Sequence, residues 1–496
     1  MVDFNTIPND LRVPLFYAEV DGSRAGTFDI RQPLILIGHK LDTGTAAEDL
    51  PHLIGSADHA GELAGRGSML HAMARRAFEN DPTIETWILP VAAPDGTAAE
   101  ATVAIAGTAT QAGVLPVYAG GRKVSVSVSV GDTAAEVATA LAAAVQADKD
   151  GVATAAAVDG TVTLTARHDG VVYNGLPVEI APLGSLGGET VPAGLTVTPS
   201  AFADGAGVPD IAAGLAALGD DIYDFIVSAF TDTAALDDLD DFLSGVSGRW
   251  SYASQLYGHA FAAKVDTLSN LASFGNARNG EHVTVSVLRA CPHPVWEIAA
   301  ASAARAAQSL RIDPARPLQT LTLSGIRCRA SGQRFTMQER NTLLYDGVAP
   351  LSVDDRGTVR LERVVTTYQE NPFGQPDNAW LDVTTPYTIM EVLRRPRRVV
   401  ESEFGRMKLA NDDQPIAAGS ATTTPKLIRG RIIAEYEAMM IDGLVENLAE
   451  FKRHLVVERS TTNPNRVDVL FPPDLVNGLM VVAVLAQYRL QYPAAA

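Results

Sequence analysis

Pro33-Leu34-Ile35-Leu36-Ile37-Gly38 is a short, unbroken apolar run closed by glycine, the pattern of a strand buried on both faces of an α/β sheet. Downstream, Met69, Leu70, Met73, Ala77 and Phe78 recur at helical spacing until Asn80-Asp81-Pro82 stops them. Thr86-Trp-Ile-Leu-Pro-Val91 then reads as the next strand, giving a strand, helix, strand order.

The same alternation returns from 210 to 308. Tyr223 to Phe230 predicts a strand, followed by a helix to about Val246, a strand from Trp250 to Tyr257 and a helix near Thr267 to Phe274. A strand from His282 to Leu288 and a helix from Val295 to Leu310 complete the series. Repeated βα units imply a parallel sheet covered by helices on both faces. Joined to the first strand pair, this is one α/β domain that something interrupts.

The interruption runs over about 96–204, where the texture shifts to alanine, threonine, valine and glycine with few charges. Lys123-Val-Ser-Val-Ser-Val-Ser-Val130 alternates strictly, valine to one sheet face and serine to the other. Gly131 ends it, and Thr133-Ala-Ala-Glu136 is a capping box opening a helix to about Ala147. Thr161-Val-Thr-Leu-Thr165 alternates with threonine, so one face can stay wet. Beyond 330 the order is less regular: strands near Thr358 to Tyr368, a helix from Asp382 to about Phe404, and another near Arg429 to Phe451. Arg466 to Phe471 and Gly478 to Ala486 alternate as strands. The second has no hairpin partner nearby and needs a sheet edge, in its own subunit or another.

The chain of 496 residues and 47% hydrophobic content fits about three folded domains. Net charge is −19, carried by one half: residues 1–250 hold 33 acids and 12 bases, 251–496 hold 25 and 27. An acidic surface repels nucleic acid, whose binding rests on phosphate neutralisation. The charge split suggests halves facing different surroundings, or an acidic insertion on an ordinary enzyme. The two cysteines, Cys291 and Cys328, cannot build a disulfide framework, lie in no zinc spacing, and fit a reducing compartment. The first ten residues lack the basic and apolar regions of a signal peptide. The apolar run Leu479 to Ala486 falls well short of the ~20 residues that cross a bilayer.

Catalytic signatures are missing: no GxxxxGK[ST], GxSxG, HExxH or strand-borne GxGxxG occurs. His52, His59 and His71 are spaced by seven and twelve residues, no metal pattern, and read as solvated loop or helix surface. Asp237, Asp238, Asp240 and Asp241 are the densest acidic cluster, yet Leu236, Leu239, Leu243 and Val246 recur at helical spacing through it, leaving a solvated face rather than a calcium loop. Arg394, Arg395, Arg397 and Arg398 surround Pro396. They read either as a charged contact patch for an acidic partner surface, or as a helix edge balanced by Glu391, Glu401 and Glu403. At the expected carboxyl ends of the parallel strands stand His39, Cys291 and His293. They are the reactive candidates for a cytoplasmic α/β enzyme with a β-rich insertion, and core or loop roles are expected for them.

The amino-terminal stretch Ile7-Pro-Asn-Asp-Leu-Arg12-Val13-Pro-Leu-Phe16-Tyr17-Ala-Glu19-Val20, followed by Asp21-Gly-Ser-Arg-Ala25, resembles the opening of contractile tail sheath proteins of the phage Mu type. In that family a proline-ended polar lead, an Arg-Val-Pro, an aromatic and a glutamate recur. Gly65-Arg-Gly-Ser68-Met-Leu is similar to the family's turn into a helix, and Glu85-Thr-Trp-Ile-Leu-Pro90 to its next strand. Gly121-Arg-Lys-Val-Ser-Val, the capped alanine helix, Thr165-Ala-Arg-His-Asp-Gly170 and Tyr173-Asn-Gly175 look like the accessory domain many sheaths carry. Asn371-Pro-Phe-Gly-Gln-Pro-Asp377 adds a loop before the helix bearing the arginines.

The resemblance implies a virion structural protein, not an enzyme, with no cofactor and no metal. It would polymerise helically around an inner tail tube and contract to drive that tube through a bacterial envelope. Its partners would be copies of itself, the tail tube protein, and baseplate and tail terminator proteins, with no direct nucleic acid and no membrane insertion. It would belong to the virion tail, assembled in the host cytoplasm. Arms at both chain ends would add strands to neighbouring sheets: Arg12, Val13, Phe16, Tyr17 and Val20 at one end, Leu479, Val481, Val484, Leu485 and Tyr488 at the other. The expected organisation is an α/β multidomain chain: an arm at 1–30, an α/β sheath domain at 31–95 and 205–330, and a β-rich inserted domain at 96–204. An α+β carboxyl-terminal domain at 331–470 and a terminal strand or arm at 471–496 complete it.

Overall fold

The apolar run Leu34–His39 lies inside a nine-stranded sheet, every residue of it buried. In the computed structural model, which describes residues 31–328, 334–417 and 419–491, the strands stand in a definite order. They run Thr322–Arg327, Thr358–Leu361, Ala349–Val353, Val283–Leu288, His259–Val265, Phe225–Ser228, Leu34–His39, Thr86–Val91 and His52–Ile54. The six from Ala349–Val353 to Thr86–Val91 are parallel, and antiparallel strands finish both edges. Parallel strands are buried on both faces, which is why these read as continuous apolar runs instead of alternating ones.

The helix Val295–Leu310 packs against four of these strands and against the helix Met69–Asn80. Ala299, Ala300, Ala301, Ala303, Ala304, Ala306 and Ala307 are all buried on it; small side chains let sheet and helix close in from several sides at once. Ser68 caps the second helix by accepting from His71 N–H at 3.1 Å.

Residues 98–199 form two further sheets. One has four strands, ordered Leu195–Pro199, Ala98–Gly107, Thr161–Asp169, Ala153–Val158; the other has three, ordered Arg122–Val128, Gly113–Ala119, Val178–Ile180. The predicted capping box is present: Thr133 and Glu136 satisfy each other's backbone N–H at the start of the helix Ala134–Ala147. Where the chain leaves and re-enters the large sheet, Thr97 and Ala206 exchange backbone hydrogen bonds of 3.0 Å. An insertion requires ends so placed.

Several expectations are corrected. Trp250 to Tyr257 is not a strand. Gln255, Tyr257 and Gly258 all adopt positive φ, and the strand starts at His259. Trp250 instead stacks on His282 with ring centroids 4.0 Å apart. The helix expected over Arg429 to Phe451 is two, Pro425–Ile441 and Leu448–His454, broken where Gly443 and Asn447 take left-handed φ of 75° and 55°. The strand expected from Thr358 to Tyr368 stops at Leu361. Ala349–Val353 and Thr358–Leu361, placed beyond residue 330 in a carboxyl-terminal domain, belong to the large sheet, since Ser286 and Val287 pair in parallel with Ala349 and Pro350. Gly478 to Ala486 forms no strand. The amino-terminal arm residues Arg12, Val13, Phe16, Tyr17 and Val20 lie outside the described residues.

Among the described residues two hydrophobic cores result. The large one runs through both the nine-stranded sheet and the inserted sheets. The small one gathers Val392, Ile428, Ile432, Tyr436, Met439 and Phe451. The helix Thr384–Val399 bridges them, giving Tyr387 and Met390 to the first and Val392 to the second. It continues as a π-helical turn, Val400–Phe404.

Candidate functional site

The small core carries a hairpin whose strands, Val456–Arg459 and Val467–Leu470, pair only with each other among the described residues. Two-stranded ribbons are marginal alone. This one leans on Phe471, which meets Phe451 edge-on at 5.3 Å, while Phe451 stacks on Tyr436 at 3.7 Å. Outside that support Val456, Val469 and Leu470 stay exposed.

Past the hairpin the chain is fastened briefly. Glu446 N–H donates to Asp474 C=O at 2.8 Å, Val476 N–H to Leu444 C=O at 3.1 Å, and Gln319 Nε2 to Leu479 C=O at 3.0 Å. Beyond that point Val481, Val482, Val484, Leu485 and Tyr488 are 71–87% exposed, and they join no strand. An apolar row of this length in water is unusual, since solvent-facing segments with nothing to bury are normally polar.

The arginine cluster does not stand free. Arg394 is corrected out of the exposed patch: its guanidinium forks onto the fully buried Asp224 carboxylate with two bonds of 2.7 Å, donates to Leu256 C=O, and lies over the Tyr257 ring. Tyr387 O–H donates to the Asp224 backbone C=O at 2.9 Å. Burial works against the Arg394 charge, but the Asp224 carboxylate outweighs it and holds its pKa above the ordinary value. Arg395 pairs with Glu391 and Asp442, Arg397 with Glu401, and Arg398 with Glu391. Glu403 reaches Arg431. Arg395, Arg398, Glu391, Glu401, Glu403 and Arg431 line an open groove of about 840 Å³, a mixed-charge surface with both signs interleaved. Asp224 was missed from the sequence, although an acid inside the apolar run Tyr223-Asp-Phe-Ile-Val is itself a signal of a buried partner.

The reactive candidates are committed to the interior. His39 is 1% exposed, with its Nδ1 3.3 Å from Val91 C=O and its ring against Phe230; burial pushes its pKa down to about 4. His168 accepts from Met69 N–H at 3.2 Å and is likewise pushed down, to about 3, by burial and then by His39 and Arg167. His293 meets Glu297 at 3.4 Å, and that carboxylate also takes Arg75 and Arg76 at 2.9 and 2.7 Å. Burial would raise Glu297, but hydrogen bonding to His293 and the arginine charges prevail and hold it at about 2. Such a network locks the helices Met69–Asn80 and Val295–Leu310 together.

His52, His59 and His71 do not converge. Each ring nitrogen engages local backbone, at Ala47, Gly55 and Gly67 respectively, and His71 is buried instead of solvated. Among the described residues no group of three or more His, Cys, Asp or Glu stands close enough to hold a metal ion. In the acidic helix Thr233–Leu243, Ala235, Leu236, Leu239 and Leu243 are buried. Asp237 and Asp240 pair with Arg278 at 2.8 and 3.2 Å. Burial, opposed by Arg278, pushes Asp240 up to about 6. No helix of the described residues is long and apolar enough to cross a membrane.

Residues 204–367 match the phage tail sheath protein central domain, and residues 375–489 match the phage tail sheath C-terminal domain. The chain belongs to the phage tail sheath family, structural components of virion tails. Over 492 residues, 99% of this chain and 100% of the relative, it is 35% identical to the Mu-like prophage FluMu tail sheath protein of Haemophilus influenzae (strain ATCC 51907 / DSM 11121 / KW20 / Rd). Among solved structures, a sheath tail protein from Desulfitobacterium hafniense aligns with a TM-score of 0.49 at 13% identity, covering 94% of this chain and 97% of that one. One from Listeria innocua aligns with a TM-score of 0.46 at 13% identity, covering 90% and 92%.

Proposed function

We propose that this chain polymerises helically around an inner tail tube and contracts to drive the tube through the bacterial envelope, its carboxyl-terminal strip adding a strand to a neighbouring subunit. The observation that supports this is the strip itself: Leu479, Val481, Val484, Leu485 and Tyr488 are at least 68% exposed and unpaired by any strand. A strand apolar on both faces needs cover on both, and an added strand contributes main-chain hydrogen bonds for affinity and alternate side chains for register.

On this reading the residues Arg12, Val13, Phe16, Tyr17 and Val20 form the matching arm at the other end. Arg395, Arg397 and Arg398, with their carboxylate neighbours, form a mixed-charge contact between subunit bodies. The bodies exchange one set of such contacts for a lower-energy set while the arms keep neighbours linked. The near-neutral half faces the tube and the acidic half faces outward, and the sheath ends on baseplate and terminator proteins. We assign 1–30 and 471–496 to the arms, 96–204 to the accessory domain, 31–95 with 205 to about 367 to the α/β body, and the remainder to the carboxyl-terminal body. Assembly in the host cytoplasm follows from the same reading.

The test is truncation after Asn477, examined by negative-stain electron microscopy across concentration. The shortened chain is expected to stay soluble and folded by circular dichroism while forming no ordered tubes. Ordinary tubes from the truncated chain would overturn the arm assignment. Labelling of intact tails that finds the carboxyl half outermost would overturn the orientation.

A further inference from the structure

The chain has two cysteines, 37 residues apart, and the fold brings them together. Cys291 follows the central strand Val283–Leu288, and Cys328 follows the edge strand Thr322–Arg327. Their sulfurs stand 2.7 Å apart, with Cys328 Sγ donating to Cys291 Sγ. Both are free thiols and both are buried, at 4% and 7% exposure. Disulfide bonds are about 2.05 Å long, so closing one here takes an approach of well under 1 Å.

We infer that Cys291 and Cys328 are a redox modification site: a peroxide converts this thiol pair into one intramolecular disulfide that staples the centre of the large sheet to its edge. The chemistry balances in two steps. The Cys328 sulfur attacks one oxygen of hydrogen peroxide, the O–O bond breaks, and a sulfenic acid and water result. Cys291 then attacks the sulfenic sulfur, the S–O bond breaks, the S–S bond forms, and the thiol proton leaves in a second water. Two thiols are oxidised and one peroxide is reduced. Cys328 acts first because it lines a small cleft, about 20 Å³, beside Arg289, Arg334 and Arg340, which Cys291 does not line. That space admits a molecule the size of peroxide and excludes bulkier disulfide oxidants. Burial raises the Cys291 thiol well above its ordinary range, which makes it the poorer first nucleophile. A partner within contact distance also stops the oxidation ladder at its reversible rung.

The bridge closes a loop containing the buried helix Val295–Leu310. It therefore restrains fraying of the edge strand Thr322–Arg327, and hydrogen exchange there is expected to slow.

The test uses the full-length protein treated with hydrogen peroxide, then denatured, alkylated and weighed intact. The expected product is monomeric, lighter by two hydrogen atoms, and resistant to alkylation until a reductant is added. Its digest should contain a peptide joining Cys291 to Cys328. Cys291→Ser, which lacks the resolving thiol, should instead gain oxygen at Cys328 and carry on to the sulfinic acid. Two free thiols after treatment, sulfinic or sulfonic products in the unmodified sequence, or reducible dimers in place of the internal bridge would each overturn the inference. The wild-type mass measurement decides the matter even where the serine variant fails to fold.

Discussion

Replacing Arg394 by alanine strands the Asp224 carboxylate in the interior. That carboxylate is 0% exposed, its partner 11%, and both of its oxygens accept guanidinium bonds of 2.7 Å. Removing one member of a buried, bidentate pair costs about 3–5 kcal/mol, mostly the penalty of leaving a charge unpaired away from water. Lost packing over Tyr257 falls within that range. For large domains each kcal/mol lowers the midpoint by about 2 °C, so the main thermal transition should fall by about 6–10 °C. Differential scanning calorimetry is the assay, since a chain with two cores need not melt in one step. Arg394→Lys should recover only part of the loss, because an ammonium cannot fork onto both oxygens. The double variant Asp224→Leu with Arg394→Met, which removes both charges, should melt close to the parent. A shift under about 2 °C for Arg394→Ala would refute the reasoning and mean that Asp224 finds water or another partner.

Acid should destabilise the protein through its buried histidines. His39 sits at about 4 and His168 and His282 at about 3, against 6.5 unfolded. The unfolded chain takes up these protons first, so this stability is complete above about pH 6.5 and is lost progressively as pH falls through 4 toward 3. Burial lowers His71 and His259 as well, while Asp240, at about 6 in the fold against 3.8, and the raised Asp49, Asp238 and Glu281 act in the opposite sense; the histidines, whose loss begins at higher pH, set the trend above pH 5. Thermal melts from pH 7.5 to 5 should show falling midpoints, and a flat or rising trend would contradict the assignment. Glu297→Ala, which takes the buried carboxylate from Arg75 and leaves Arg76 with Glu79 alone, should cost about 3–5 kcal/mol in urea unfolding, with Glu297→Gln less severe. Thr133→Ala removes one half of a capping box and should cost about 1 kcal/mol, read as roughly fivefold faster hydrogen exchange in the helix Ala134–Ala147.

What could be read from the residues was what is decided locally. The buried strands Leu34–His39, Thr86–Val91 and Val283–Leu288, and the helix Val295–Leu310, carry periodicities that no neighbour needs to supply. The capping box at Thr133 is likewise written in four consecutive residues. Trp250 to Tyr257 misled because aromatic and polar residues alternate there, while the conformation is set by positive φ at Gln255 and Tyr257, which no side-chain pattern announces. The break at Gly443 was legible only as a glycine inside an otherwise helical pattern.

The sequence by itself therefore determined the α/β class, the insertion between two stretches of one sheet, the orphan apolar strip at the carboxyl end, and the family through motifs spread along the chain. Tertiary structure alone decided which distant groups meet. Asp224 claims Arg394 from 170 residues away, Glu297 gathers Arg75 and Arg76 across more than 220, and Cys291 finds Cys328. Spacing along the chain encodes the face of a helix or strand, because backbone geometry repeats every few residues. The pairing of buried charges and thiols depends on how whole elements pack, and on the cost of leaving any of those groups alone in a medium of low polarity.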